Sequence, residues 1–383
     1  MEFDFLQPIS SELVSFKESL STQHLGSKIV MHSQNDFPNL ENIKIALIGV
    51  LENRDDEGFV EKIDLFQIRK QFYSLYPGNW ATQIADLGDV LPGNSKQDTF
   101  YAVQNIVANL IKKKIIPVII GGTQDVTYAL YRSYDNLDQM VNLVSVDSKF
   151  DFGKENESVS KDSYLTKIIV DEPNNLFNFS NIGFQTYYNS QEEIDLVEKL
   201  YFDALRLGDV SHNITIAEPV FRDADLVVLD LSSIKSSDSG NHSNFKPNGF
   251  NGKEICALAR YAGISDRLTS FGIFNYGNSL NETALISQIM WYFIEGVNFR
   301  SNEYPFGSKK NYSKYIVPFE NEDLIFLKSN VSNRWWIQMS ELKTANTKIN
   351  KNTLLPCSYE DYLTACNNEF PERWWKWQRK IIT

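Results

Sequence analysis

Between Lys44 and Val297, short runs of β-branched residues alternate with longer stretches whose apolar residues recur at helical spacing. The runs 44–50 (KIALIGV), 115–120 (IIPVII), 142–146 (NLVSV), 181–184 (NIGF), 225–230 (DLVVLD) and 268–274 (LTSFGIF) have the length and composition of buried strands. Segments 61–76, 98–114, 190–200, 252–262 and 281–296 read as amphipathic helices. This alternation predicts an α/β fold, a doubly wound parallel sheet with helices on both faces. In such sheets the ligand crevice lies beyond the carboxyl ends of the strands. Gly121-Gly122, Asp147 and Asp230 all fall at predicted strand ends, so they are expected to converge there.

The pattern changes after Val297. Residues 301–314 are polar and loop-like, and DLIFLKS and RWWIQM then predict a hairpin across a turn at 329–333. Ser358–Asp361 has the capping-box pattern of a short helix, and Pro371 suits the first turn of a last one. Five of the seven tryptophans lie in this tail, including two Arg-Trp-Trp triplets at 334–336 and 373–375. The chain therefore divides into an N-terminal segment (1–43), an α/β domain (44–297) and a Trp-rich extension (298–383). Aromatic and arginine residues anchor protein interfaces. They would serve equally to clamp the extension onto the domain.

Charge narrows the partners. The chain of 383 residues carries a net charge of −12, which disfavours nucleic acid and anionic membranes because both repel an acidic surface. The run Lys112-Lys113-Lys114 ends a predicted helix, where cations meet the dipole favourably. Cys256, Cys357 and Cys366 have spacings of neither a zinc site nor a disulfide framework. The N-terminus has acids where a signal peptide needs a basic region, and no run reaches the ~18 apolar residues of a membrane span. A cytoplasmic protein is expected, and the Asn156-Glu157-Ser158 sequon then has no meaning.

Chemistry concentrates in LVSVDSKFDFG, Leu143–Gly153, where Asp147 and Asp151 bracket Lys149 at the end of a predicted strand. Together with GGTQD (121–125) and DLS (230–232), this stretch resembles the ureohydrolase superfamily of arginases, agmatinases and formimidoylglutamases, whose motifs read G-G-D-H, D-A-H-x-D and D-x-D. The flanking segments IRKQFY (68–73), DLGDV (86–90), NIGFQ (181–185) and SFGIFNYGNSL (270–280) are similar in order and spacing. The resemblance covers about 44–297 and implies an arginase-like three-layer fold.

It also implies where two manganese ions would sit. The first would be held at Gln124, in place of a histidine, with Asp147, Asp151 and Asp230. The second would need a histidine where Lys149 stands and an aspartate where Ser232 stands, sharing Asp147 and Asp230. Asn275 stands near the acid that relatives use to grip a guanidinium group. Both ligands unique to the second ion are therefore missing, and His24, His32, His212 and His242 all lie outside the motifs.

A lysine ammonium has no lone pair and cannot ligate a metal while charged. Lys149 is expected to act as a tethered counter-ion between Asp147 and Asp230, so that Lys149→Ala destabilises the fold. An ordinary solvent-facing loop lysine is the alternative. The three aspartates and Lys149 leave a charge of −2, which one divalent cation would neutralise. Gln124, Asp147, Asp151 and Asp230 offer oxygen ligands suited to a hard ion, Mg²⁺ or Ca²⁺, or to a single retained Mn²⁺. Alternatively, Asp151 bonds backbone amides, Gln124 lines the helix beginning beside it, and Asp125 is a first-turn helix acid.

No Gly-x-Ser-x-Gly elbow, P-loop or motif histidine offers another nucleophile or base. The expected function is a catalytically inactive ureohydrolase-fold protein that binds, scaffolds or regulates, with a protein partner or as a homo-oligomer. The alternative is a formimidoylglutamase-like hydrolase of linear amidine C–N bonds using one metal or none.

Overall fold

The computed structural model describes residues 3–54, 63–137, 139–154, 158–241, 245–277, 279–303, 309–319, 323–339 and 354–382. The sequon at Asn156, His242 and the first two residues of the expected 61–76 helix lie outside them. A ten-stranded sheet forms the centre: β1 (Leu6–Gln7), β2 (Val30–Met31), β3 (Ile45–Val50), β4 (Ile84–Val90), β5 (Ile116–Ile120), β6 (Val141–Val146), β7 (Leu176–Phe184), β8 (Asp203–Arg206), β9 (Leu226–Asp230) and β10 (Ser270–Phe274). The strand order is β1-β4-β3-β5-β10-β9-β6-β7-β8, with β2 also beside β4. Only the β1–β4 pairing is antiparallel. β1 and β2, both from the N-terminal segment, thus extend the sheet.

Every residue of β3, β5, β6, β9 and β10 is buried, as expected of parallel strands covered on both faces. The Lys96–Lys112 helix covers one face. Ser95 and Asp98 close its start as a capping box, and Phe100, Val103, Ile106, Val107 and Leu110 form its apolar stripe. On the other face the Gly252–Ile264 and Leu280–Asn298 helices pack so closely that a Cβ on Gly263 would lie 2.1 Å from the carbonyl oxygen of Phe293.

The tail builds its own antiparallel sheet: β11 (Tyr312–Pro318), β12 (Asp323–Ser329), β13 (Trp335–Gln338) and β14 (Leu354–Cys357). The hairpin foreseen from the sequence is β12–β13. The stretch expected to be loop-like to 314 instead enters β11 at Tyr312, because that strand can pair along the whole of β12. Helices Tyr359–Cys366 and Glu372–Ile382 follow, the first with the expected capping box between Ser358 and Asp361.

The tail docks at the amino ends of the central strands. Arg222, buried on the Glu218–Arg222 helix, donates to the carbonyls of Trp335 at 2.8 Å and Cys357 at 2.9 Å. Its guanidinium also lies 4.5 Å from the ring centroid of Trp336. Glu218 bridges to Arg222 at 3.0 Å and to Arg334 at 3.2 Å. Phe177, near the start of β7, joins Trp335, Trp374 and Trp377 in one apolar cluster. Trp335, Trp336, Trp374 and Trp377 are buried, and Trp375, though exposed, packs edge-on against Tyr201 of the domain.

Candidate functional site

Strands β5, β10, β9 and β6 are neighbours, so the segments leaving their carboxyl ends share one crevice. After β5 the chain turns through Gly121 and Gly122, at φ +88° and +82°, a region that favours glycine. A Cβ on Gly121 would lie 2.8 Å from the Val50 carbonyl oxygen. The turn is tied to β10, with Gly121 N donating to Ile273 O at 3.0 Å and Asn275 N to Gly122 O at 2.9 Å. Gln124 is thereby delivered, fully buried, beside Asp147, Asp151 and Asp230 at the ends of β6 and β9.

Asn275 joins two of these elements. Its Nδ2 donates to Asp230 Oδ2 at 2.8 Å, and its Oδ1 accepts from Gln124 N at 3.1 Å. The other Asp230 oxygen accepts from Ser232 N at 2.6 Å. Asp147 Oδ1 accepts from Lys149 N at 3.0 Å. Asp147 Oδ2, Asp151 Oδ2 and Gln124 Oε1 are buried without a hydrogen-bond partner among the described residues. Gln124 Nε2 donates to Ser145 Oγ at 3.4 Å, and Ser145 Oγ also accepts from Tyr164 OH at 3.3 Å.

Lys149 does not take the counter-ion role expected of it. Its Nζ pairs with Asp162 Oδ1 at 3.0 Å, with the two side chains 43% and 55% exposed. The loop fixes this direction. Asn181 Nδ2 donates to Lys149 O at 2.7 Å, Asn189 Nδ2 donates to Ser148 O at 3.1 Å, and Asn189 Oδ1 accepts from Phe150 N at 2.8 Å. With the backbone gripped on both sides of Lys149, the ammonium keeps its hydration, which burial between carboxylates would strip away.

The carboxylates are relieved in another way. Burial, then the charges of Asp151 and Asp230, hold Asp147 well above the usual carboxylate range. Burial, followed by Asp230, pushes Asp151 up to about 8. Buried carboxylates that repel one another retain protons, so in the absence of a cation a proton carries the neutralising charge.

The sequence profile of the arginase family matches residues 65–227, from ahead of β4 to the first two residues of β9. Over that stretch, less than half of its length, the chain resembles the arginase family. A formiminoglutamase from Trypanosoma cruzi, solved with Mn²⁺, superposes with a TM-score of 0.60 at 16% identity, covering 69% of this chain and 97% of that one. The agmatine ureohydrolase of Thermoplasma volcanium gives 0.57 at 18%, covering 75% and 97%. Formimidoylglutamase from Bacillus subtilis gives 0.59 at 14%, covering 70% and 91%. At these identities the likeness is one of fold. No curated protein matches the chain.

This ureohydrolase fold does not carry side chains that fit two ions. The second ion's own positions hold Lys149, engaged by Asp162, and Ser232, while both oxygens of the would-be shared Asp230 accept from N–H donors. Among the described residues no three or more His, Cys, Asp or Glu side chains are arranged to hold a metal ion. The free oxygens of Gln124, Asp147 and Asp151 are chemically suited to a hard cation.

Other superfamily segments are structural. Arg69 Nε pairs with Asp86 at 2.9 Å and its NH2 with Asp89 at 2.8 Å, while Tyr73 OH donates to Asp86 at 2.7 Å. The DLGDV acids are therefore bound to IRKQFY and are no acid/base pair. Asp125 sits at the start of the Val126–Arg132 helix as expected, and it also pairs with Lys96 at 2.9 Å. Cys256 and Cys357 are buried free thiols and Cys366 is exposed. His32 bonds the Leu87 carbonyl and His24 stacks on Tyr76, both away from the crevice.

Sequence reasoning missed Glu282. It is buried at the start of the Leu280–Asn298 helix, with Oε2 accepting from Gly277 N at 2.6 Å and Oε1 without a hydrogen-bond partner among the described residues. Burial first, opposed by its backbone bonds and aided by Asp230, raises it to about 7. Ser279-x-x-Glu282 is a capping-box signal that could have placed it. Ser145, Tyr164 and Asn181 were missed too, and no local pattern marks them. No helix among the described residues is long and apolar enough to cross a membrane.

Proposed function

We propose that this chain is a catalytically inactive ureohydrolase-fold protein of the cytoplasm that works by binding, as a scaffold or regulatory subunit. The Asn275 amide carries this reading. It spans Asp230 and the Gln124 backbone at 2.8 and 3.1 Å, a neutral strut across the place where the superfamily's reaction needs shared metal ligands. Two-metal hydrolysis depends on a hydroxide that both ions support, and a strut of this kind supplies neither charge nor nucleophile. The protein would then act through its surface, in a homo-oligomer or with a protein partner.

A second reading has its own support. The unpartnered oxygens of Gln124, Asp147 and Asp151 suit one hard cation, which would favour a formimidoylglutamase-like hydrolase of linear amidines. Metal analysis of the purified protein, with assays on formiminoglutamate, agmatine and arginine in added Mn²⁺, separates the two. No turnover is expected. Turnover that Asp147→Asn abolishes would overturn the proposal. Sizing the protein as isolated from its native cell reads its assembly state directly.

A further inference from the structure

The Glu372–Ile382 helix turns Arg373, Lys376 and Lys380 toward a small cavity at the amino ends of β6, β7 and β8. The opposite wall supplies Asn178, Asp203 and Asp223, and the space is about 20 Å³, room for one particle of about water's size. Lys376 Nζ reaches Asp203 at 3.5 Å and the Phe202 carbonyl at 3.2 Å, and Lys380 Nζ donates to Asn178. Asp223 is already engaged by Arg267 at 3.1 Å, and Arg267 also pairs with Asp225 at 2.9 Å. Arg373 makes no hydrogen bond or ion pair with any described residue.

The charges around the cavity do not cancel. Three cations face two carboxylates, and Arg267 with Asp225 adds nothing to the sum. Glu372 also bonds Lys376, at 2.8 Å, but its side chain is 77% exposed and well screened by water. One positive charge is left over, beside a guanidinium that feels Asp203 and Asp223 but hydrogen-bonds no described residue. Burial pushes the Lys380 amine down to about 8, with Asp203 and Asp223 opposing the fall and Lys376 and Arg373 adding to it.

We infer that this cavity binds a small monovalent anion, a halide such as chloride, which ties Arg373 and Lys380 to the floor of the central sheet. The anion would give Arg373 an acceptor that no described residue supplies and cancel the excess charge, locking the last helix to the domain. The site lies at the opposite end of the strands from the crevice, and the inference stands apart from the reading of that crevice.

Crystals of the full chain grown or soaked in bromide test it by anomalous scattering. A bromide peak within hydrogen-bonding distance of Arg373 and Lys380 is expected; water alone in the cavity would overturn the inference. In solution, the thermal midpoint in chloride should exceed that in gluconate at equal ionic strength by about 2 °C, through ordinary binding linkage. Arg373→Gln should abolish that difference. No anion dependence in the unaltered chain, or one that persists in Arg373→Gln, counts against the site.

Discussion

The Nδ2 of Asn275 donates to the Oδ2 of Asp230 at 2.8 Å, so the carboxyl ends of β10 and β9 are joined by an amide and a carboxylate. A neutral donor thus meets a charge that ureohydrolase chemistry would assign to metal. Truncating it in Asn275→Ala leaves Asp230 Oδ2 short of a donor and frees Gln124 N as well. A loss of about 1–3 kcal/mol is expected, read as a lower denaturant midpoint.

Lys149 should behave in the opposite way. Its ion pair with Asp162 is exposed on both sides, and such pairs contribute at most about 1 kcal/mol. Lys149→Ala should therefore leave the denaturation midpoint almost unchanged. A large destabilisation would restore the counter-ion role.

Arg222 holds the tail. Arg222→Ala strands the carbonyls of Trp335 and Cys357 and removes the cation from the face of Trp336. The expected loss is about 3 kcal/mol, concentrated in the tail and visible as faster amide exchange in β13 and β14. Lysine cannot reproduce the forked geometry, so Arg222→Lys should rescue little of it.

Glu282 predicts a pH dependence with a definite sign. Its folded pKa of about 7 lies above that of an unfolded glutamate, so the native state binds the extra proton. The associated stability is fully present below about pH 4 and is lost as pH rises through 7, amounting to about 3 kcal/mol. Urea titrations across this range should show the slope, and Glu282→Gln should flatten it. Asp147, Asp151, Asp125 and Asp223, which are raised in the same direction, contribute to the slope that remains.

The fold was legible where burial acts on both faces of a strand. β3, β5, β6, β9 and β10 are continuous apolar runs because helices cover them on either side. β4 escaped because Asp86 and Asp89 interrupt it, and their partners Arg69 and Tyr73 lie on a separate helix. β8 escaped because four residues at a sheet edge, half of them charged, carry no pattern.

The site divides in the same way. The motif positions at the ends of β5, β6 and β9 were readable, since strand ends fix where a residue stands. The direction of the Lys149 side chain was not, because Asn181 and Asn189, over thirty residues away, set it. Nor could the sequence reveal that Asn275 bonds Asp230, since that pairing exists only once β9 and β10 lie side by side.

Strands β6 and β9 run from the tail's docking edge to the crevice, with Asn142 and Asp225 near one end and Asp147 and Asp230 at the other. Six residues of β6 set the two poles roughly 20 Å apart. A macromolecule gripping the tail and a small solute lodged in the crevice would therefore never touch. Any communication between them has to pass as movement of whole strands, and the dense packing on both sides of the sheet makes such movement stiff.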